Sequence, residues 1–344
     1  MSNKPAPPDK KKMFHWYSMF RYLQLLAIFL YLPCIQAGES IAEVKNFDTE
    51  LINGPGTYKV GILSIATLSN VTIKGFKVSE LSGLAWDEDE NILYALSDNG
   101  YLLHLKPVFK KGQLTDVEFI NGFSLLDNKN RPLKYKESDS EGLAIINGHN
   151  GIKGDTELIV CFERIPRLIK YNPNGKQLTD IKLPAILSDI KNYRSPNRSL
   201  EAVTVHKKLG ILLGPENPLS GQDDDSMFIY SIRGKSWHIP LKNVHYGALV
   251  DMTTMPDGSL LLLERAFGGI FPTMEITLHR FIPDDNGPDK EEVVYSFPHN
   301  NGFFNENFEG LTYFKNNQYF MISDDNDHPL NHILLVHFSI TKMK

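Results

Sequence analysis

Short apolar runs alternate with polar turns along most of the chain, and one order of positions recurs five times. In each copy a carboxylate or hydroxyl residue precedes an apolar run, a turn follows, and a second apolar run ends at another acidic residue. The leading residues, 50 to 60 positions apart, are Ser82, Glu141, Glu201, Asp251 and Glu309. The closing residues are Asp98, Glu163, Glu216, Glu264 and Asp324. Such a period is typical of a closed array of repeated units, because one unit alone cannot bury its apolar face.

The repeated unit predicts an all-β fold. Its apolar runs are short and are bounded by Asp, Asn and Gly, which favour turns between strands. About four strands fit in each repeat, so we expect a β-propeller of five blades. The last repeat has room for only three strands before Lys344, and we expect a strand from Thr57–Val71 to complete it and close the ring. Six blades would form instead if Thr57–Val78 supplied the strands of a separate blade.

The N-terminal part of the chain differs from the repeats. Residues 1–37 are typical of a signal peptide, because basic residues flank the apolar run Leu23–Leu32 and a cleavage site fits before Gly38. An uncleaved N-terminal anchor is the alternative. Residues 38–56 are predicted to form a polar arm, and residues 57–344 the propeller domain. We therefore expect an exported protein, periplasmic or secreted, with no membrane contact after signal cleavage.

Composition narrows the expected partners. The formal net charge of −5 offers no basic surface for nucleic acid, so none is expected to bind. After signal cleavage Cys161 is the single cysteine, which leaves no intrachain disulfide. It lies within the apolar run Leu158–Phe162, where an inert buried thiol is expected. We expect a monomer.

The starts of the inner strands of a propeller lie around one axis, so the five leading residues should face one another. Ionised carboxylates about 6 Å apart repel by roughly 3 kcal/mol per pair at an effective dielectric constant of about 20. Protons, cationic side chains or a metal must therefore neutralise the ring. Oxygen ligands suit calcium, and the expected ligands are Ser82, Glu141, Glu201, Asp251 and Glu309. The alternative is that these side chains cap turns or bind neighbouring backbone amides.

The closing residues predict a second acidic ring, and Arg follows two of its members. Guanidinium groups beside carboxylates can bind a phosphate or carboxylate group, while the acidic residues bind a metal or activate water. We therefore expect an anionic small-molecule substrate, a phosphoester or an ester. The expected catalytic residues are Glu163, Arg164, Glu216, Glu264, Arg265 and Asp324. The alternative is a belt of ion pairs between blades.

Several short motifs, taken in order over about Leu81–Ile340, resemble the phytase-like family described as having esterase-like activity. They are Ser138–Ala144 with Cys161–Arg164, Gly247–Gly258 with Leu263–Arg265, and Phe308–Leu311 with Ser323–Asn326. The resemblance implies hydrolysis of an ester or a phosphoester.

A more distant similarity is to the calcium-activated nucleotidases. These are five-bladed propellers in which Ser and Glu side chains of inner strands hold a central calcium, and Glu80-Leu81-Ser82 resembles their first-blade motif. Glu141, Glu201 and Glu309 fall at corresponding positions. Asp251 departs from that pattern in side-chain length, and residues specific to nucleotide substrates are not evident.

Two functions are consistent with these patterns. The first is an exported, calcium-dependent hydrolase that acts at the mouth of the propeller channel, which the double acidic ring and its two Arg residues favour. The second is a non-catalytic propeller that calcium stabilises and that binds a sugar, a peptide or an envelope ligand. The lack of an identifiable nucleophile favours the second.

Overall fold

The computed structural model describes residues 38–47, 52–242, 247–268, 273–283, 290–297, 306–328 and 331–343. Residues 38–344 form a unit distinct from residues 1–37. The predicted signal peptide therefore lies outside the described residues, and its role stays a prediction. Within the described part of the chain, no helix has both the length and the apolar character needed to cross a lipid bilayer.

The described residues before the first blade form six strands, and only the fourth of these is long. They are β1 (Glu39–Ser40), β2 (Ala42–Asn46), β3 (Ile52–Asn53), β4 (Tyr58–Leu68), β5 (Thr72–Ile73) and β6 (Phe76–Lys77). β5 pairs only with β6, in a short hairpin.

Four sheets follow, each built on four antiparallel strands paired in chain order, and β1 adds a fifth strand to the first of them. Blade 1 contains β7 (Leu81–Asp87), β8 (Ile92–Ser97), β9 (Tyr101–Lys110) and β10 (Gln113–Ser124). Blade 2 contains β11 (Ser140–Ile146), β12 (Glu157–Phe162), β13 (Arg167–Tyr171) and β14 (Gln177–Ile181), and the short helix α1 (Ala185–Ser188) follows it. Blade 3 contains β15 (Leu200–His206), β16 (Gly210–Pro215), β17 (Ser226–Ser231) and β18 (Ser236–Pro240). Blade 4 contains β19 (Gly247–Thr254), β20 (Leu260–Gly268), β21 (Thr273–Ile282) and β22 (Lys290–Phe297).

Blade 5 joins the two ends of the propeller domain. Its C-terminal strands are β23 (Asn307–Lys315), β24 (Gln318–Asp324) and β25 (Ile333–Lys342), and β4 pairs antiparallel with β25 as the fourth strand. The predicted closure of the ring by an N-terminal strand is confirmed. Five blades form, rather than six, because the long strand of the segment 57–78 completes the last blade.

The core lies between blades rather than in one central mass. Each inner strand contacts the inner strands of both neighbouring blades, in the closed order β7, β11, β15, β19, β23 and back to β7. Five clusters of buried apolar side chains fill the spaces between adjacent sheets. Trp86 of blade 1, for example, shares a cluster with Phe320 of blade 5. A strand buried on both faces reads as a continuous apolar run, as the sequence shows.

The arm predicted for residues 38–56 is not irregular, because it contributes three short strands. β1 pairs with β10 of blade 1, and β2 pairs with β4 of blade 5. Ser40 Oγ donates to Asp116 Oδ1 at 2.8 Å, and Asn46 Nδ2 donates to the Leu114 carbonyl at 3.0 Å. The segment therefore covers the outer edges of two adjacent blades, where unpaired backbone groups would otherwise be open to other chains.

Candidate active site at the channel mouth

A β-bulge near the start of each inner strand positions the leading residues. The pairing with the next strand skips Ser82 in blade 1, Glu141 and Gly142 in blade 2, Glu201 in blade 3 and Glu309 in blade 5. A bulged residue has no direct partner on the neighbouring strand, so its side chain can be directed away from the regular ladder. Burial raises the pKa values of Glu141 and Glu201, and the carboxylate of Glu309 adds to the rise in both, as expected for side chains directed toward one region.

A small residue follows each of these bulged positions. Gly83, Gly142, Ala202 and Gly310 occupy these positions. A Cβ on Gly142 would lie 2.5 Å from the Glu201 carbonyl oxygen, and a Cβ on Gly83 would lie 2.9 Å from the Glu141 carbonyl oxygen. The inner strands therefore approach so closely that the residue after the bulge must be small.

Blade 4 departs from this register by one residue. The pairing there skips Val250, and Asp251 pairs with Leu263. Asp251 thus occupies the position that Gly or Ala fills in other blades. Its buried carboxylate accepts hydrogen bonds from the backbone N–H groups of Met252 at 2.8 Å and Leu311 at 2.6 Å. The structure does not bring Asp251 into the ring of bulged residues, and its contacts match the alternative of backbone capping.

The same offset applies to the closing residue of blade 4. In the other blades, the closing residue directly follows the second-strand residue that forms the last pair before the bulge. These closing residues are Asp98, Glu163, Glu216 and Asp324. In blade 4 the residue at this position is Arg265. Glu264 is fully buried, where its carboxylate accepts from Lys242 N at 3.0 Å and lies 2.6 Å from His279 Nε2. Successive side chains of a strand point to opposite faces, so Glu264 is directed away from the side chain of Arg265.

Arg265 brings a positive charge into the acidic ring. Its Nη2 lies 3.1 Å from Glu216 Oε1, its Nη1 pairs with Glu309 Oε1, and Nη1 also donates to Asn307 Oδ1 at 2.5 Å. All three charged side chains are mostly buried. Arg265 therefore neutralises the acidic residues of the two adjacent blades, which agrees with the alternative of ion pairs between blades.

The remaining carboxylates gather beside blades 2 and 3. Oxygens of Asp139, Glu141 and Glu163 lie within 4.8 Å of one another, and so do those of Glu163, Glu201 and Glu216. Glu163 belongs to both groups. Asp139 was not predicted, although its place two residues before Glu141 was a usable signal. Arg164 was predicted to be a catalytic residue, and it pairs with Asp139 at the edge of this group.

Burial raises the pKa of most of these carboxyl groups, and neighbouring carboxylates add to the effect. The pKa is raised to about 9 for Asp98, to about 8 for Glu163 and to about 7 for Asp324. The pKa values of Glu141 and Glu201 lie well above the usual range for the same reasons. Buried Asp98 Oδ1 has no hydrogen-bond partner among the residues that the structure describes.

These donors fit a hard cation. The convergent carboxylates offer oxygen atoms only, as calcium prefers, and a divalent ion would compete with protons for them. Ser82 lies in the same ring, and its Oγ donates to the Ser140 carbonyl at 2.8 Å. That hydrogen bond leaves lone pairs on the hydroxyl oxygen.

A cavity of 540 Å³ opens beside Arg265. Arg198 lines it from blade 3, is exposed, and donates from Nη1 to Asn217 Oδ1 at 3.2 Å. Arg198 was missed because it precedes the inner strand and falls outside the repeated positions. The lining residues are Arg198, Glu216, Asn217, Gly247, Ala248, Arg265, Phe267, Met274, Asn307, Glu309 and Asn326.

Asp324 lies next to this cavity. Its Oδ1 accepts from Asn326 N at 3.0 Å, and its Oδ2 lies 3.5 Å from Asn307 Nδ2. Both asparagines line the cavity. Asp324 is 6% exposed and has no ion-pair partner among the described residues.

The fold and the site together define the class of protein: a five-bladed β-propeller whose channel mouth combines buried carboxylates with an arginine-lined cavity. Residues 77–327 match the model of the phytase-like family, described as esterase-like activity of phytase. The match covers most of the chain, and the chain belongs to this family.

The other comparisons add less. Comparison with curated proteins finds no match. Among solved structures, the chain is similar to Saccharomyces cerevisiae Sqt1 at 10% identity, over 89% of this chain and 100% of that chain, with a TM-score of 0.39. It is also similar to the β-propeller domain of Myceliophteria thermophila Cps50 (Swd1) at 10% identity, over 89% and 98%, with a TM-score of 0.36. At these scores the fold assignment rests on the observed blades.

Proposed function

We propose that this protein is a calcium-dependent hydrolase of anionic esters, with phosphoesters as the first substrates to test, acting at the channel mouth. The observation that carries the proposal is the group of buried carboxylates with raised pKa values beside a cavity that presents an exposed Arg. Membership of the phytase-like family supports ester hydrolysis. Export is part of the proposal and rests on the segment 1–37.

Calcium would be held by the carboxylates of blades 2 and 3. Glu141, Glu163 and Glu201 are the central ligands in this proposal, with Asp139 and Glu216 at either side. Glu216 and Glu309 both pair with Arg265, but only Glu216 also lies close to Glu163 and Glu201. When bound, calcium would neutralise these carboxylates and polarise an oxygen of the anionic ester.

The remaining roles belong to side chains around the cavity. Arg198 is exposed and has spare donors, so it binds the anionic group of the substrate. Asp324 is the general base, because a pKa of about 7 suits proton exchange near neutral pH. Hydrolysis adds the hydroxyl of water to the phosphoryl or acyl centre, the ester bond breaks, and the leaving alkoxide gains the proton that the general base has taken from that water. Asp324 accepts the proton that the attacking water loses.

The test is hydrolysis of a panel of phosphoesters and carboxylic esters by protein stripped with a chelator and then supplied with calcium. We expect turnover only after calcium is restored. A rate equal to that of buffer, with and without calcium, would refute hydrolysis. It would leave the alternative of a non-catalytic propeller that calcium stabilises.

Matched variants separate the roles. Asp324→Asn should lower kcat by at least about a hundredfold, the range for a general base, and leave the calcium-induced rise in melting temperature intact. Asp327→Asn is the control, because Asp327 lies in the same loop but pairs with Lys77 at the surface. Glu201→Gln should remove the calcium-induced rise in melting temperature. Equal activity in Asp324→Asn and Asp327→Asn would exclude Asp324 as the base.

A further inference from the structure

The cavity beside Arg265 has an apolar wall that the proposed function does not use. Phe267 and Met274 pair across β20 and β21, and both line the cavity together with Ala248. Met274 and Ala248 are only 8% and 7% exposed, whereas Phe267 is 56% exposed. The exposed phenyl ring of Phe267 therefore lines the cavity beside two buried apolar residues.

The position of Phe267 on its strand relates it to the charged side of the cavity. Arg265 and Phe267 are two residues apart on β20, so their side chains point to the same face and their Cα atoms lie about 7 Å apart. That spacing is comparable with the length of a small aromatic ester from its anionic group to its ring. Arg198 adds an exposed cation from blade 3.

Exposure of a large apolar ring in this place has an energetic cost that a ligand could offset. An aromatic ring on the ligand could stack on Phe267 and remove apolar surface of both from water. A flexible alkyl group would bury less of the ring and lose more rotational freedom. Such a wall would therefore favour flat groups over flexible apolar groups.

We propose that the site prefers anionic esters whose leaving group is a planar aromatic alcohol, which stacks on Phe267 while the anion lies toward Arg198. This inference rests on the proposed function. Phe267 is a specificity-determining residue in it and takes no part in bond breaking.

The experiment compares phenyl phosphate with n-butyl phosphate in the wild-type protein and in Phe267→Ala, with calcium present. The intrinsic reactivity of each ester is the same for both proteins, so the variant-to-wild-type ratio isolates the contact with the ring. We expect kcat/KM for phenyl phosphate to fall about tenfold and that for n-butyl phosphate to fall less than about twofold. Phe267→Trp should retain the preference. Tyr135→Ala is the control, because Tyr135 is 90% exposed and lies outside the cavity lining.

Calorimetric titration of the same two compounds tests the inference without turnover. Phenyl phosphate should bind the wild-type protein more tightly than n-butyl phosphate, and Phe267→Ala should abolish the difference. If neither ester is hydrolysed but the binding preference is present and depends on Phe267, the proposed function fails and the aromatic subsite stands. Equal losses for both esters, or no change for either, in both measurements would overturn the inference.

Discussion

Arg265 and Arg164 follow acidic residues in the same way along the chain, yet the structure predicts very different consequences when each is replaced. Arg265 bridges Glu216 and Glu309, and its side chain is 16% exposed, while those of its partners are 12% and 14% exposed. Among the described residues Arg164 forms an ion pair with Asp139 only, and the side chains are 40% and 16% exposed. The substitution of interest is Arg265→Gln, with Arg164→Gln as the matched control.

The magnitude depends on burial. Removal of one partner from a buried ion pair costs about 3–5 kcal/mol, because it leaves an uncompensated charge. An exposed pair contributes only about 0–1 kcal/mol. Burial raises the pKa of Glu216 and Arg265 opposes that rise, so Glu216 can take up a proton once the guanidinium is gone, and the loss in Arg265→Gln should be larger at pH 8 than at pH 5.5.

The assay is urea unfolding of calcium-free protein, so that a bound cation cannot replace the missing charge. With an m-value of about 3 kcal/mol/M, the midpoint of Arg265→Gln should fall by about 1 M or more. That of Arg164→Gln should fall by less than about 0.3 M. Equal midpoint shifts in the two variants, or a loss independent of pH for Arg265→Gln, would refute the role of Arg265 as the internal counter-ion.

Three further predictions concern pH, Glu264 and the N-terminus. Without calcium, the melting temperature should fall as the pH rises from about 5 to about 9, because the raised pKa values of Asp98 and Glu163 let the folded protein hold more protons than the unfolded chain. Calcium should remove most of this pH dependence, and a flat calcium-free profile would contradict the prediction. Glu264→Gln should lower the free energy of unfolding by about 3 kcal/mol through the lost charge beside His279, with kcat of the folded variant unchanged; a selective loss of kcat would restore Glu264 to the site. Mass spectrometry of exported protein should find a chain that begins at Gly38, whereas an intact N-terminus would indicate an anchor.

The architecture could be predicted from local patterns because each blade is one repeated unit. Apolar runs bounded by turn residues indicated the strands, and their period indicated five blades. The shortage of strands after Glu309 correctly predicted that an N-terminal strand completes the last blade, since β25 would otherwise present a long unpaired outer edge. The arm at residues 38–56 had no such signal, because short edge strands pair chiefly through backbone groups that any sequence provides.

Site residues could be identified from the sequence in the blades where the acidic or hydroxyl residue also lies at the β-bulge. Ser82, Glu141, Glu201 and Glu309 are each followed directly by Gly or Ala, and the structure shows that the close approach of inner strands requires this. In blade 4, the bulged residue Val250 is not followed by Gly or Ala. The prediction there was based on acidic residue type and selected Asp251 and Glu264, whereas the residues at the equivalent positions are Val250 and Arg265.

The amino-acid sequence by itself indicated a propeller with five blades favoured over six, the closure of the ring by an N-terminal strand and the concentration of carboxylates on one set of strand positions. Only the tertiary structure decided which carboxylates converge and that Arg265 lies between Glu216 and Glu309. It also decided that Arg198 lines the cavity and that Asp139 lies beside Glu141 and Glu163. The reason is geometric. Side chains alternate between the two faces of a strand, so a bulge displaced by one residue moves the neighbouring side chains to the opposite face. Residues from different blades meet only after the ring has closed.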